Sequence, residues 1–313
     1  MKHIFITGCP RSGTTMLANI LGNGNPCVAT PESHFFNDFI YKYLPNKSDE
    51  AEKKDLVNFF NNHYRFKQWK IDASKIKSLP NKITNNNYNI VIENTVKSFA
   101  EYNSKIHEKE LIRIDHTPSN IKSFNIINEL FPQSKFIYII RDPRAVYASI
   151  KGLDWGPNSS LKLSQLWIEY TATYFAIQKL YPSRICLVKY EDILKNAKPQ
   201  IKKLCDFIEI EYDDNLLENE NGFKIPKYTF SQHALVGKTL DKSRIDNWKR
   251  ELKKLDVNII ESQCGCILNA LGYKAILDVK YKITKKDKFK EFFKEIYYYF
   301  PNRIRKKNRE SKT

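Results

Sequence analysis

Near the start of the chain, Gly8-Cys9-Pro10-Arg11-Ser12-Gly13-Thr14-Thr15 has the residue types and spacing to hold an anion. Glycine lets the backbone approach a ligand closely. A helix beginning at the end of this stretch would present the backbone N–H groups of Gly13, Thr14 and Thr15 at its N-terminus. The helix dipole favours negative charge there. Arg11 adds a planar fork for phosphate or sulfate oxygens, and Ser12 a hydroxyl. Gly8 and Gly13 are five apart with a hydroxyl residue at Thr15, which is the spacing of a P-loop. Nucleotide triphosphatases carry Lys where this chain has Thr14. The reach to a β- or γ-phosphate is therefore missing, the loop's cation is Arg11, and no requirement for Mg²⁺ follows.

A second anion site is readable in Arg141 and Ser149. Arg141 follows the apolar run Phe136-Ile137-Tyr138-Ile139-Ile140, and Ser149 lies eight residues on, about two helical turns away. An Arg and a Ser so placed could grip one phosphate. Two anion sites together suggest a nucleotide with phosphates at both ends of its ribose. Tyr190 follows another apolar run, Ile185 to Lys189, and is a candidate contact to that phosphate or to the base. Lys238 and Lys242 are further candidate anion contacts.

The elements that must position these groups alternate. Ile4-Phe5-Ile6 reads as a strand, and Met16 to Leu21 as a helix stopped by Gly22. Residues 49–66 are predicted helical, as are Phe35 to Leu44 and Thr95 to about Glu108. Leu111 to Ile114 is a strand ending in Asp115-His116-Thr117-Pro118, after which Ser119 can cap a helix reaching Phe131. Phe136–Ile140 is a strand buried on both faces, and Pro143 opens the next helix. A long helix follows from about Ser159 to Leu180, then a strand over Ile185–Lys189, a helix over Lys198–Phe207 and a last one near 256–271; residues 211–247 are irregular. This predicts an α/β fold, a P-loop-type three-layer sandwich with a mostly parallel central sheet flanked by helices. Ligands are expected at the carboxyl ends of the strands. The candidates gather at such ends: the glycine loop, His116, Arg141 and Tyr190.

The net charge of +17 favours anionic ligands, nucleic acid or a membrane surface. Residues 274–313 hold 14 Lys and Arg against 5 Asp and Glu, leaving +8 for the remainder. No nucleic-acid motif is present and nucleic acid is not expected as a partner. The first strand begins at about His3, leaving no room for a leader, and no apolar run approaches the ~20 residues of a span. The six cysteines are scattered, with no metal-site spacing, so a reduced, cytoplasmic protein is expected. Phe289, Phe292, Phe293, Ile296, Tyr297 and Phe300 form one helical stripe, with Lys288, Lys290 and Lys294 on the other face. Two placements fit it. In the favoured one the stripe packs on the core; in the other it makes peripheral contact with a membrane. Residues 1–275 are expected to form the catalytic domain and 276–313 a basic amphipathic tail. The sequence leaves the oligomeric state open.

With both anion motifs in this order, the chain resembles the sulfotransferases that use 3′-phosphoadenosine 5′-phosphosulfate (PAPS), over roughly residues 3–275. The matches are Gly8–Thr15 for the 5′-phosphosulfate and Arg141-Asp142-Pro143-Arg144-Ala145-Val146-Tyr147-Ala148-Ser149 for the 3′-phosphate. Leu130-Phe131-Pro132 and Trp248 also fit. The bacterial and tyrosylprotein-type branch is the most similar. There a glutamate some twenty residues past the loop is the base, and Glu32 stands in that place. Sulfuryl transfer to a hydroxyl needs a base for the acceptor proton and positive charge around the leaving phosphate. Glu32 suits the first task, with His34 as its rival, and Arg11 the second. Related chains often have Lys where this one has His116, so His116 is expected to stabilise the leaving group either as a cation or by donating a hydrogen bond. Ser243 aligns with a serine near the 5′-phosphosulfate. The resemblance implies PAPS as co-substrate, no metal, and a hydroxylated acceptor: a carbohydrate or other metabolite is favoured, and a peptide tyrosine is open. The competing readings are a P-loop nucleotide kinase, against which Thr14 argues, and a non-enzymatic basic module.

Overall fold

The computed structural model describes residues 1–103, 110–218, 241–276 and 281–310. In chain order the elements are β1 (Lys2–Thr7), α1 (Thr14–Leu21), β2 (Cys27–Thr30), α2 (His34–Tyr43), β3 (Glu50–Glu52), α3 (Lys53–Asn62), β4 (Lys82–Thr84) and α4 (Tyr88–Tyr102). There follow β5 (Ile112–Asp115), α5 (Phe124–Leu130), β6 (Lys135–Ile140), α6 (Pro143–Ile150), α7 (Ser160–Leu180), β7 (Ile185–Lys189), α8 (Tyr190–Lys195) and α9 (Ala197–Ile208). The short α10 (Trp248–Glu251), α11 (Lys254–Ala270) and α12 (Lys285–Glu310) complete the chain.

Five strands pair in parallel in the order β2-β5-β1-β6-β7, so the chain winds outward in both directions from β1. Period-two alternation splits the apolar runs between two cores. Ile4, Ile6, Ile137 and Ile139 face one side, under α1, α8 and α9. Phe5, Phe136, Tyr138 and Ile140 face the other, with α2 to α7 and α11. Each fully buried side chain of this size contributes on the order of 1.5–3 kcal/mol. Both faces of the sheet are thus covered, which is why the strands read as continuous apolar runs rather than alternating ones. The three-layer α/β architecture is as the sequence predicts.

Several local boundaries differ. Residues 49–66 are not one helix: Glu50–Glu52 pairs antiparallel with Lys82–Thr84, and only then does α3 begin. Its start is set by a capping box, in which the Glu52 side chain accepts from the Asp55 backbone and the Asp55 side chain from the Glu52 backbone. The helix expected from Thr95 begins earlier, at Tyr88, and ends at Tyr102. Ser119 does not cap one long helix; Pro118–Ser123 winds as a tighter 3₁₀ turn before α5.

The apolar stripe of α12 does not pack on the core. The helix docks by its opposite, polar face. Glu291 accepts from the Ser160 hydroxyl at 2.7 Å, and Glu295 accepts from the backbone N–H groups of Asn158 and Ser159 at 2.9 and 2.8 Å. These carboxylates complete the N-terminus of α7, whose first N–H groups have no partner within the helix. Capping, rather than apolar burial, decides which way α12 turns.

Candidate active site

Every strand of the parallel sheet delivers a candidate residue at its carboxyl end. Read across the sheet, these are Glu32 after β2, His116 after β5, the glycine loop after β1, Arg141 after β6 and Tyr190 after β7. Neighbouring strands lie about 4.8 Å apart, so these ends form one continuous ledge.

The loop is shaped by contacts that only glycine permits. A Cβ on Gly8 would lie 2.3 Å from the Ile139 carbonyl oxygen. Gly13 has φ 106° and a Cβ there would meet the Tyr190 ring at 2.7 Å. Arg11 itself sits at φ 74°, left-handed backbone that side chains other than glycine seldom adopt. Thr14 and Thr15 form the first turn of α1, so their N–H groups open toward the ledge. The Ser12 hydroxyl is buried and has no hydrogen-bond partner among the described residues.

Arg11 ties the two anion motifs together. Its Nε donates to Ser149 Oγ at 3.1 Å, and Arg141 Nη1 donates to the Arg11 carbonyl at 3.0 Å. Ser149 therefore serves Arg11 here, where the sequence pairs it with Arg141. Arg141 lies over the Tyr190 ring at 4.4 Å, and the Trp167 indole N–H anchors its carbonyl at 3.0 Å. Arg141 Nε is buried with no partner among the described residues. Burial and the nearby Arg141 charge pull the Arg11 guanidinium down to about 10, with Glu32 opposing and Arg244 adding to the repulsion. A cluster of guanidiniums around a helix N-terminus, with unused donors, is a place for a multiply charged anion.

Glu32 sits on the β2 side of the ledge. Its Oε2 is 2.9 Å from Arg65 Nη1 and 3.4 Å from His34 Nε2, and its carbonyl accepts from the Trp69 indole N–H at 3.4 Å. Burial alone would raise its carboxyl, but Arg65, His34 and His116 hold it well below the usual carboxylate range. Glu32 is ionised at neutral pH. His34 is its neighbour, and the His34 Nδ1 is 3.4 Å from the Ser119 hydroxyl.

His116 stands at the carboxyl end of β5. The ring is buried, and burial pulls its pKa below the ordinary histidine value despite Glu32 and Asp115 nearby. It is neutral at pH 7, and its ring hydrogen-bonds the Thr30 backbone. Burial therefore favours the neutral form of the ring, and its hydrogen bond to Thr30 fixes it at the end of β5. Ser243 belongs to the late segment. It is exposed in a 3₁₀ turn over Lys242–Ile245 and bonds back to Asp241 at 2.9 Å, and it is the neighbouring Arg244 that acts on Arg11. Lys242 is exposed, and Lys238 lies outside the described residues.

Beneath the ledge lies a buried network that the sequence reading does not single out. Asp115 accepts from the Ser33 hydroxyl, from Arg113 Nη2 and from the Thr117 N–H at 2.8 Å. The Thr117 hydroxyl accepts from the Ser33 N–H at 2.8 Å. Ser33 follows Glu32, while Asp115 and Thr117 flank His116, so the network locks the two loops that carry them. A second buried cluster holds the late segment: Arg144 bonds Asp142, Glu261 and the Lys274 carbonyl and lies over Trp248 at 4.1 Å. Arg144 and Trp248 thus pin the late segment against α6.

A parallel sheet with a glycine loop and a strand-end arginine defines an α/β protein with a cationic, anion-suited cluster at the carboxyl edge of its sheet. Residues 3–214 match the model of the sulfotransferase family, and the chain belongs to that family. It is 24% identical over 270 residues to an uncharacterised protein of Aquifex aeolicus, covering 81% of this chain and 31% of that one. It is 24% identical over 260 residues to protein-tyrosine sulfotransferase A of Caenorhabditis elegans, covering 80% of this chain and 58% of the relative. The chain thus spans about a third to somewhat over half the length of these relatives. Among solved structures, the sulfotransferase domain from the curacin biosynthetic pathway shares the fold, with a TM-score of 0.54 and 20% identity over 87% of this chain and 98% of that domain.

Proposed function

We propose that this chain transfers a sulfuryl group from PAPS to a hydroxyl of an acceptor, with Glu32 as the general base. The observation that carries the reading is the Arg11 junction, where one guanidinium bonds Ser149 while its carbonyl holds Arg141. It brings the loop suited to a 5′-phosphosulfate and the segment suited to a 3′-phosphate into one cationic cluster. The unused donors of Ser12 and Arg141, beside a loop held by Gly13 against the Tyr190 ring, suit such a donor.

In the proposed step the acceptor oxygen attacks sulfur as the bond from sulfur to the bridging phosphate oxygen breaks. The acceptor proton passes to the Glu32 carboxylate, and the nucleotide 3′,5′-bisphosphate leaves. Arg11 and the N–H groups of Gly13, Thr14 and Thr15 stabilise the charge gathering on the leaving phosphate. Neutral His116 supports the same ledge through its hydrogen bond to Thr30. The ledge then divides, with nucleotide over β1, β6 and β7 and acceptor over β2 and β5. The acceptor is read as a carbohydrate or other hydroxylated metabolite; the name of the worm relative makes a peptide tyrosine the second reading.

The test uses both halves of the ledge. The nucleotide 3′,5′-bisphosphate is expected to raise Tm, and ATP with Mg²⁺ to do much less. Arg141→Ala should weaken bisphosphate binding by about 2–3 kcal/mol. Glu32→Gln should leave that binding intact and cut sulfate transfer by roughly 10²–10⁴. Stronger stabilisation by ATP would refute the donor, and full activity of Glu32→Gln would refute the base.

A further inference from the structure

An amphipathic helix on a protein surface ordinarily turns its apolar stripe inward. Helix α12 does the reverse. Glu291 is 1% exposed, whereas Phe289 is 64% and Phe300 67% exposed. Phe292, Phe293, Ile296 and Ile304 share that open side. At 3.6 residues per turn the docked set Glu291, Glu295 and Asn302 lies about half a turn from Phe289, Ile296 and Phe300. The helix is held along its length by polar contacts. Besides the two glutamates, Lys294 bridges Asp256 and Glu291 at 3.0 and 2.5 Å. Asn302 donates to the Asn158 side chain at 2.9 Å, and Arg305 to the Gly152 carbonyl at 3.0 Å. The open stripe is therefore a fixed surface of the folded chain.

Charge says what covers it. Asp287, Glu291 and Glu295 all lie on the docked side, where they accept from Thr284, Ser160, Asn158 and Ser159. The outward half is left with aromatic and aliphatic side chains bordered by exposed Lys285, Lys288, Lys290, Arg303 and Lys307. Two copies of this face would bring like charges together. A contiguous apolar patch of this extent is uncommon on a free surface. Phe and Ile flanked by Lys and Arg is the composition of helices that lie in the headgroup region of anionic bilayers. No described helix is long and apolar enough to cross a membrane, so contact would be in the plane of the surface.

We propose that the outward face of α12 seats the folded chain on an anionic lipid surface, with the polar face clamped to the N-terminus of α7. The side chains that enter the lipid are Phe289, Phe292, Phe293, Ile296 and Phe300, and the flanking Lys and Arg meet lipid phosphates. This assignment stands apart from the sulfuryl-transfer reading, since no residue of the ledge takes part.

The test is co-sedimentation of the full chain with vesicles of phosphatidylcholine containing about one-third phosphatidylglycerol. Binding is expected at low salt, to be lost near 1 M salt, and to be at least tenfold weaker on pure phosphatidylcholine. Phe292→Glu with Ile296→Glu should reduce vesicle binding by at least about tenfold and leave Tm unchanged, because both positions are open and off the docked side. Three results would overturn the proposal. One is no sedimentation of the full chain. Another is vesicle binding that survives the double substitution. The third is a dimer in light scattering that the same substitution turns into a monomer, which would give the face to a second copy of the chain.

Discussion

Asp115→Asn tests whether the buried network beneath the ledge is held by charge. The Arg113 and Asp115 side chains are 2% and 1% exposed. Asparagine keeps the shape, can still accept from the Thr117 N–H and can donate to Ser33, but it leaves the guanidinium without a counter-charge. Breaking a buried pair from one side costs about 3–5 kcal/mol. At roughly 2–4 °C per kcal/mol, Tm should fall by roughly 6–20 °C. Adding Arg113→Met removes the stranded charge. It also forfeits the guanidinium's stacking over Phe5 and Phe36, at 5.6 and 5.2 Å, worth about 1 kcal/mol. The double variant should therefore lie only about 1–2 kcal/mol below the parent, recovering about 1–4 kcal/mol of the cost of Asp115→Asn alone. Urea unfolding followed by tryptophan fluorescence gives all four corners of the cycle. Acid provides a second reading. Burial opposes ionisation of Asp115, but Arg113, Ser33 and Thr117 outweigh it and hold the carboxyl below its ordinary value. Its stabilisation is complete above the unfolded pKa of about 3.9 and is lost as pH falls below that. Both variants should lose this part of the acid sensitivity. A cost below about 1 kcal/mol for Asp115→Asn, or a double variant less stable than the single, would refute the reasoning.

Two further perturbations address the ledge. Arg65→Gln removes the main positive charge holding Glu32 down, so the carboxyl rises and the acid limb of the kcat/KM profile for sulfate transfer should move to higher pH; an unmoved limb would detach Glu32 from that limb. Gly13→Ala must seat a Cβ at φ 106° against the Tyr190 ring, on which Arg141 stacks. It should cost about 1–3 kcal/mol in unfolding measurements and weaken bisphosphate binding in calorimetry by about tenfold or more.

The sheet was readable because its strands are buried on both faces, so each announces itself as an apolar run without help from distant residues. The glycine loop was readable because its spacing is local. Arg65 was not. It reaches Glu32 only because β3 pairs with β4 and the turn over Phe66–Trp69 folds back toward β2, and no local spacing encodes that return. Arg113 and Asp115 left a signal that passed unread: two charges at period two inside an apolar strand can be buried only as a pair. The stripe of α12 shows a different limit. Periodicity says that a face is apolar, not which way it turns. Here the direction is decided by two glutamates finding open N–H groups some 130 residues earlier in the chain.

The two sides of the ledge use opposite electrostatics, and Arg11 stands between them. Toward β6 it faces Arg141 and Arg244, like charges whose mutual repulsion a bound anion would relieve. Toward β2 it faces Glu32, whose negative charge offsets part of that repulsion while no donor is present. An arriving phosphosulfate would take over the counter-charge role and would itself repel the Glu32 carboxylate, making it a better proton acceptor. The low setting imposed by Arg65 and His34 keeps Glu32 ionised before that moment, and the Ser33–Asp115–Thr117 lock keeps its loop from retreating when the negative charges meet. In this reading the buried network and the cations of the ledge are parts of one device: rigidity under the acceptor side lets charge be redistributed on the donor side without moving the base.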